Sequence, residues 1–272
     1  MEVATGIETR ELLAIARRAA EAGVEVASAW ARSREELRVE EKAAADDLVS
    51  QADRDTEAAI RAVLAERRPE DGILGEEQGS VAGSSDIEWL IDPIDGTTNY
   101  LYGRADWAVS VAAVHGANAR TLAGVVAEPA LGRVTEASRG GGAWSDGRRL
   151  RRHDPVELER ALVEVNWGRP QQRRLAADLL RELVPRVRDV RRGGSAAAAL
   201  VQVADGRADA YWGPGLQPWD GAAGALIAAE AGGEVGDLAG PGDGDWPAEG
   251  DVLAAAPGLW EPLARLLRGV YR

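Results

Sequence analysis

Three acidic clusters carry the residue types that could do chemistry. The first is Gly75-Glu76-Glu77, directly after a short apolar run. The second is Asp92-Pro93-Ile94-Asp95-Gly96-Thr97-Thr98-Asn99-Tyr100, after the apolar Trp89-Leu90-Ile91, and the third is Trp219-Asp220, opening a helix of small residues. Pro93 fixes the backbone between two acids, so Asp92 and Asp95 can converge rather than splay. Gly96 lets an anion approach the main chain, and Gly96-Thr97-Thr98 can open a helix whose free N–H groups bind it. Carboxylates beside such a site would repel a phosphate unless cations lie between them. An all-oxygen ligand set suits a hard divalent ion such as Mg²⁺. Two such ions about 4 Å apart would activate a water and stabilise a leaving oxygen. In a chain with 45 acids a lone Asp-x-x-Asp pair is more often a helix cap or a solvated face. The glycine–threonine context and the succession of three clusters favour the chemical reading.

The elements that must position these acids are legible from periodicity. From Ile7 to about Trp30, Leu12, Ile15, Ala16, Ala19, Ala20, Val24 and Ala27 recur at three- and four-residue intervals, the stripe of a long amphipathic helix. The charged stretch Arg32 to Lys42 reads as a solvated helix extension or loop. A second helix begins near Ser50 to Asp53, runs through Ile60, Val63 and Leu64, and stops before Pro69. Short strands are expected at Gly72 to Gly75 and Trp89 to Ile91. An antiparallel meander follows over Val109 to Val114, Thr121 to Val126 and Arg133 to Ser138, with a hairpin turn at Ser145-Asp146-Gly147-Arg148.

After about Arg152 strands and helices alternate. Strands are expected at Leu162 to Val165, Val187 to Val190, Ala208 to Trp212 and Val252 to Ala256. Helices are expected at Gln171 to Leu183, Ser195 to Ala204, Asp220 to Ala231 and Leu259 to Leu267. The Gly-, Pro- and Asp-rich stretch Gly236 to Gly250 reads as an exposed loop. The chain therefore divides into an α+β half, 1–152, with most of the candidate ligands, and an α/β half, 153–272, with Asp220 and part of a substrate pocket. No linker separates the halves.

Composition narrows the function. The chain has 272 residues, 45% hydrophobic and 28% charged, the balance of a globular protein. A formal net charge of −13 tells against nucleic acid and anionic membrane surfaces as partners. The absence of cysteine excludes disulfides, thiolate metal sites and a Cys nucleophile, and two histidines, His115 and His153, leave no basis for a His-rich zinc site. No apolar run approaches the roughly 20 residues of a membrane span, and the first residues lack a signal-peptide layout, so the expected location is the cytoplasm.

The motifs together resemble the inositol monophosphatase family, within the lithium-sensitive, magnesium-dependent phosphatases. The pieces that match are Lys42 with Asp47-Leu48-Val49-Ser50 and Asp53, Gly75-Glu76-Glu77, Asp92 to Asn99, Gly194-Ser195-Ala196-Ala197, and Trp219-Asp220 through Gly233. The resemblance implies a layered αβαβα sandwich, a homodimer, and a phosphomonoesterase acting on a small phosphorylated polyol or sugar. It implies two or three Mg²⁺ ions. Glu76, Asp92 and the Ile94 carbonyl would hold the first; Asp92, Asp95 and Asp220 the second; Glu76 would also help a third. Thr97 paired with Asp53 would orient and deprotonate the attacking water, and the Gly96 and Thr97 amides would bind the phosphate. Asp95, Ser195, Ala196, Gly213 and Asp220 would face the substrate, with Glu77 behind the ligands and Lys42 near the entrance.

One position departs from the family. Seven residues before Asp220, where many inositol phosphatases carry a Glu that binds substrate hydroxyls, this chain has Gly213. A missing side chain is expected to leave room there. Trp212 and Trp167 either line a widened pocket or belong to the core, and Arg191-Arg192 either attracts an anionic substrate or is a solvated pair. Other substrates remain open, among them a nucleotide, histidinol phosphate or a biosynthetic sugar intermediate. A non-catalytic regulatory protein that kept the fold is the rival from another class.

Overall fold

A computed structural model describes residues 6–33, 39–41, 48–116, 120–152, 154–167, 173–242 and 250–271. Helices α1 (Gly6–Arg32) and α2 (Gln51–Arg67) come first. Their apolar stripes meet: Leu12, Ala16, Ala19 and Ala20 of α1 and Ile60 and Leu64 of α2 are buried in one cluster. Between the helices the chain departs from the expected extension or loop, because β1 (Val39–Glu41) pairs antiparallel with β2 (Leu48–Ser50). Three residues are too few to show a period of two, so this hairpin leaves no pattern in the sequence.

Eight strands form the first sheet: β3 (Gly72–Gly75), β4 (Gly79–Val81), β5 (Ile87–Asp95), β6 (Ala108–His115), β7 (Arg120–Glu128), β8 (Arg133–Ser138), β9 (Gly142–Ser145) and β10 (Arg148–Arg149). Their order is β10-β9-β8-β7-β6-β5-β3-β4. From β5 to β10 the sheet is the expected antiparallel meander, closed by a turn with Asp146 and Gly147 at φ 48° and 78°. β3 differs, lying parallel to β5 with β4 folded back on its outer side. The chain has to reverse through β4 before it returns beside β3, which makes β3 and β5 run the same way.

After the short helix α3 (Thr97–Leu101) and this meander, the second half alternates as expected. Its sheet contains β11 (Leu162–Val165), β12 (Asp189–Arg191), β13 (Ala210–Gly213), β14 (Glu234–Gly236) and β15 (Val252–Ala255), in the order β12-β11-β13-β15-β14. β12 lies later than the expected 187–190, and Val187 instead plugs the outer core ahead of it. β14 takes up the start of the expected 236–250 loop as an edge strand; residues 243–249 lie outside the described residues. The helices are α4 (Ala176–Leu183), α5 (Ala196–Asp205), α6 (Pro218–Glu230) and α7 (Trp260–Val270). α4 starts later than Gln171 because a 3₁₀ turn, Arg173–Leu175, precedes it.

The layers are α1/α2, first sheet, α5/α6, second sheet, α4/α7, the expected αβαβα sandwich. Ala and Gly make up about half of the middle layer. Ala197, Ala198, Ala222 and Ala223 pack on Leu90, Ala112 and Val126 of the first sheet, whereas Ala199, Leu200 and Ala225 pack on Tyr211, Val252 and Ala254 of the second. Two helices buried on both sides are apolar all round, which is why they lack the polar stripe of α1. The approach is close: a Cβ on Gly124 would stand 2.8 Å from Ala223 Cα. Among the described residues no helix is long and apolar enough to cross a membrane.

Candidate active site

β5 ends in the second acidic cluster, and its geometry follows from one irregularity. Asp92 pairs with Ser110 and Asp95 with Ala108, so the two residues Pro93 and Ile94 stand opposite one. This bulge is where a strand tolerates proline, and it re-aims the side chains on either side. The Ile94 amide donates to Asp92 Oδ1 at 3.1 Å, and the Thr97 hydroxyl donates to the Ile94 carbonyl at 3.1 Å. Gly96 has φ 96°, a left-handed conformation that a side chain would strain. It turns the chain into α3, and a Cβ there would stand 3.0 Å from Asp106 O and 3.4 Å from Ser195 Cβ.

Asp95 faces the second half. Its Oδ2 accepts from Ser195 Oγ and from the Ala197 amide, each at 2.6 Å. Ser195 is also the N-cap of α5, accepting from Ala198 N at 3.1 Å, so one hydroxyl both starts the helix and fixes the acid. Asn99 ties the same two segments: its Nδ2 donates to the carbonyls of Asp106 and Gly193, each at 2.6 Å. Asp220 is the third residue of α6 and forms a capping box with Gln217, whose amide donates to Asp220 Oδ2 at 2.8 Å. Glu76 follows β3, its amide bonded to the Ile91 carbonyl of β5 at 3.2 Å. Asp53, in the first turn of α2, is buried.

The charges of these acids bear on one another. The Asp92 carboxyl is pushed well above the usual carboxylate range, first by burial and then by repulsion from Glu76, Asp95, Asp220 and Asp53. Burial raises Asp95 to about 6, against the hydrogen bonds from Ser195 and the Ala197 and Ala196 amides. Four carboxylates, on β5, α2, α6 and the turn after β3, therefore repel Asp92. Among the described residues no three acids stand close enough together, as placed, to hold a metal ion. An all-oxygen set of mutually repelling carboxylates suits Mg²⁺, which keeps several of its waters and needs few protein ligands.

The substrate side departs from expectation at Gly213. The space beside Gly213 is filled: a Cβ built there would lie 2.7 Å from Tyr211 Cζ, so the phenol two residues earlier on the same face of β13 occupies the expected gap. Trp212 points the other way and is wholly buried in the outer core, edge-on to Tyr271 at 5.2 Å. Strand alternation decides this, and it makes Trp212 a core aromatic. Trp167 also packs against that outer core while keeping part of its surface exposed. Arg191 is an exposed, solvated partner of Asp189 at 2.6 Å, whereas burial first, and then Arg173, lowers the pKa of the neighbouring Arg192. Lys42, Asp47 and His153 lie outside the described residues. Glu77 stands beside Glu76 in the turn between β3 and β4, and Ala196 is buried at the start of α5.

Sequence reasoning passed over Glu57, which is completely buried beneath the Glu76–Glu77 turn. It lies one helical turn beyond Asp53, a spacing that by itself does not distinguish it from a surface acid of the helix. Sequence reasoning also passed over Tyr211, visible as the residue sharing a strand face with Gly213.

The arrangement has close counterparts. The family model described as "Inositol monophosphatase family" matches residues 8–270. The Mycobacterium tuberculosis protein named Inositol-1-monophosphatase SuhB is 45% identical over 240 residues, covering 85% of this chain and 81% of that one. A Pseudomonas aeruginosa protein named Nus factor SuhB is 39% identical over 236 residues, covering 84% and 86%. The crystal structure of extragenic suppressor protein suhB from Bartonella henselae superposes with a TM-score of 0.88 at 33% identity, over 95% of this chain and 98% of that chain. With its layers, its acidic clusters and these relatives in agreement, the chain belongs to the inositol monophosphatase family.

Proposed function

We propose that the protein is a Mg²⁺-dependent phosphomonoesterase that hydrolyses a small phosphorylated polyol or sugar. The observation that carries this is Asp92, buried among Glu76, Asp95, Asp220 and Asp53 beside the left-handed turn at Gly96. Glu76, Asp92 and the Ile94 carbonyl would hold one Mg²⁺, and Asp92, Asp95 and Asp220 a second, with Glu76 assisting a third. Bound there, the ions supply a more acidic water and offset the charge of the ester oxygens. The chain's own groups do the rest. The Gly96 and Thr97 amides hold the phosphate, and Thr97 with Asp53 orients the attacking water and takes its proton. Asp95, Ser195, Ala196, Gly213 and Asp220 shape the substrate side. The catalytic unit draws on both 1–152 and 153–272, and the family resemblance favours a homodimer.

Phosphate release from a generic ester tests this reading. Turnover should vanish in EDTA, return with Mg²⁺ and fall on addition of Li⁺; undiminished turnover after rigorous chelation would overturn it. A panel of sugar, polyol, nucleotide and histidinol phosphates then ranks the substrates. The relatives named Nus factor support a second reading, in which the fold serves regulation without catalysis. No phosphate release from any ester in saturating Mg²⁺ would favour that alternative.

A further inference from the structure

Beneath the Glu76–Glu77 turn lies a buried carboxylate that the hydrolytic chemistry does not use. Glu57 is 0% exposed, on the inner face of α2, four residues after Asp53. Its Oε2 accepts from the Glu77 amide at 2.7 Å and its Oε1 from the Gln78 amide at 3.1 Å. Arg61, one turn further on, donates through Nε to Glu57 Oε1 at 2.7 Å and through a terminal nitrogen to the Gly79 carbonyl at 2.5 Å. Gln78 Nε2 reaches back to the Arg54 carbonyl at 3.3 Å. Gly75 completes the fit, because a Cβ there would stand 2.5 Å from Glu57 Cδ.

A buried carboxylate is costly unless its oxygens are satisfied, and two amides and a guanidinium satisfy this one. Two adjacent N–H groups that converge on one side chain need an acceptor with two oxygens. A glutamine would turn its NH₂ toward one of them. The effect is to fix the backbone on both sides of Glu76. The amide of residue 76 is bound to β5, those of residues 77 and 78 to Glu57, and the carbonyl of residue 79 to Arg61. Only the side-chain torsions of Glu76 are left to adjust. One rigid helix thus carries Asp53 and also fixes the turn that presents Glu76.

We infer that Glu57 is a positioning residue that pre-forms the Glu76 turn for a divalent cation, an inference that rests on the phosphatase reading above. Partners behind metal ligands are worth about tenfold to a hundredfold in metal affinity. Glu57→Gln should therefore weaken Mg²⁺ binding by calorimetry, and Tb³⁺ binding by luminescence, by about tenfold or more. The rate at saturating Mg²⁺ should fall much less, and Mg²⁺ should titrate activity over a correspondingly higher range.

Asp71→Asn is the control. Asp71 is also a buried carboxylate, bonded to Trp89 Nε1 at 2.9 Å and Ser85 Oγ at 2.6 Å, but away from the turn. It should lower thermal stability and leave metal affinity unchanged. Equal metal affinity in Glu57→Gln and the parent would overturn the inference, as would an equal loss in Asp71→Asn. Should Glu57→Gln fail to fold, Arg61→Gln decides the matter: weakened Tb³⁺ binding supports the inference and unchanged binding overturns it. A parent protein that binds neither ion would instead sink the phosphatase reading itself.

Discussion

The two walls of the proposed site are built differently. On the hydrolytic wall, Glu76, Asp92 to Thr97 and Asp220 sit at the ends of elements, and the bulge, caps and turns there are held by hydrogen bonds to named partners. On the substrate wall, β13 presents Gly213 and fills the space beside it with its own Tyr211. The first wall is defined by charge and hydrogen bonding, the second by volume. Charge placement tolerates few residue types, since each acid needs its partners, whereas a wall set by volume can change with one side chain. The reaction should therefore be sensitive to single atoms on one wall, and the choice of substrate to shape on the other.

The largest break in this contrast should come from Asp92→Asn. It keeps the volume and removes the charge at the centre of the carboxylate group, and should lower kcat by ~10²-fold or more while thermal unfolding shows an intact fold. A near-normal rate would mean that the wrong acids have been assigned to the chemistry.

Ser195→Ala should come next. It deletes both the hydroxyl that donates to Asp95 and the cap of α5. Stability should fall by about 1–3 kcal/mol in denaturant titrations, and kcat by about tenfold as Asp95 loses its fixed orientation. A variant with parental stability and rate would show that the Ala197 amide alone holds Asp95.

Gly213→Glu sharpens the substrate side. If volume governs that wall, the new side chain collides with Tyr211 and costs about 1–3 kcal/mol without improving kcat/KM for inositol 1-phosphate. Pairing it with Tyr211→Phe removes the phenolic oxygen and should recover part of the lost stability. A large gain on inositol 1-phosphate in the single variant would show that the phenol swings aside readily. The smallest effect is expected for Arg191→Ala, an exposed ion-pair partner, with kcat/KM within about twofold of the parent for any phosphate ester.

Much of the architecture was legible in the sequence because it rests on long periodic segments. The stripes of α1 and α2, the meander strands β6, β7 and β8 and the alternation after residue 152 all span enough residues for a period to show. β1, β2, β4 and β14 were not legible, being three residues each and stabilised by pairing rather than by their own pattern. The acidic clusters stood out because acids at strand ends, next to glycine and threonine, are an unusual local combination. The groups that hold them were harder to find. Glu57 looks in sequence like any surface acid of an amphipathic helix, and only the fold reveals that the Glu76–Glu77 turn lies over it. Gly213 misled for a related reason: an absent side chain suggests a void, but the neighbour two residues away on the same face had already taken it.

The thinness of the α5/α6 layer has its own consequence. Asp92 and Asp95 belong to the first sheet, and Asp220 rides on α6, so the separation between them is gauged by how near that helix lies to the sheet. At Gly124 and Ala223 that gap is one hydrogen atom on one side and one methyl group on the other. The layer acts as a shim between two jaws. Adding a methyl group at residue 124 would force the helix outward and widen the mouth between Asp95 and Asp220, although the substitution touches neither acid. The working dimension of the site is thus written in the bulk of small residues deep in the core, out of reach of any substrate.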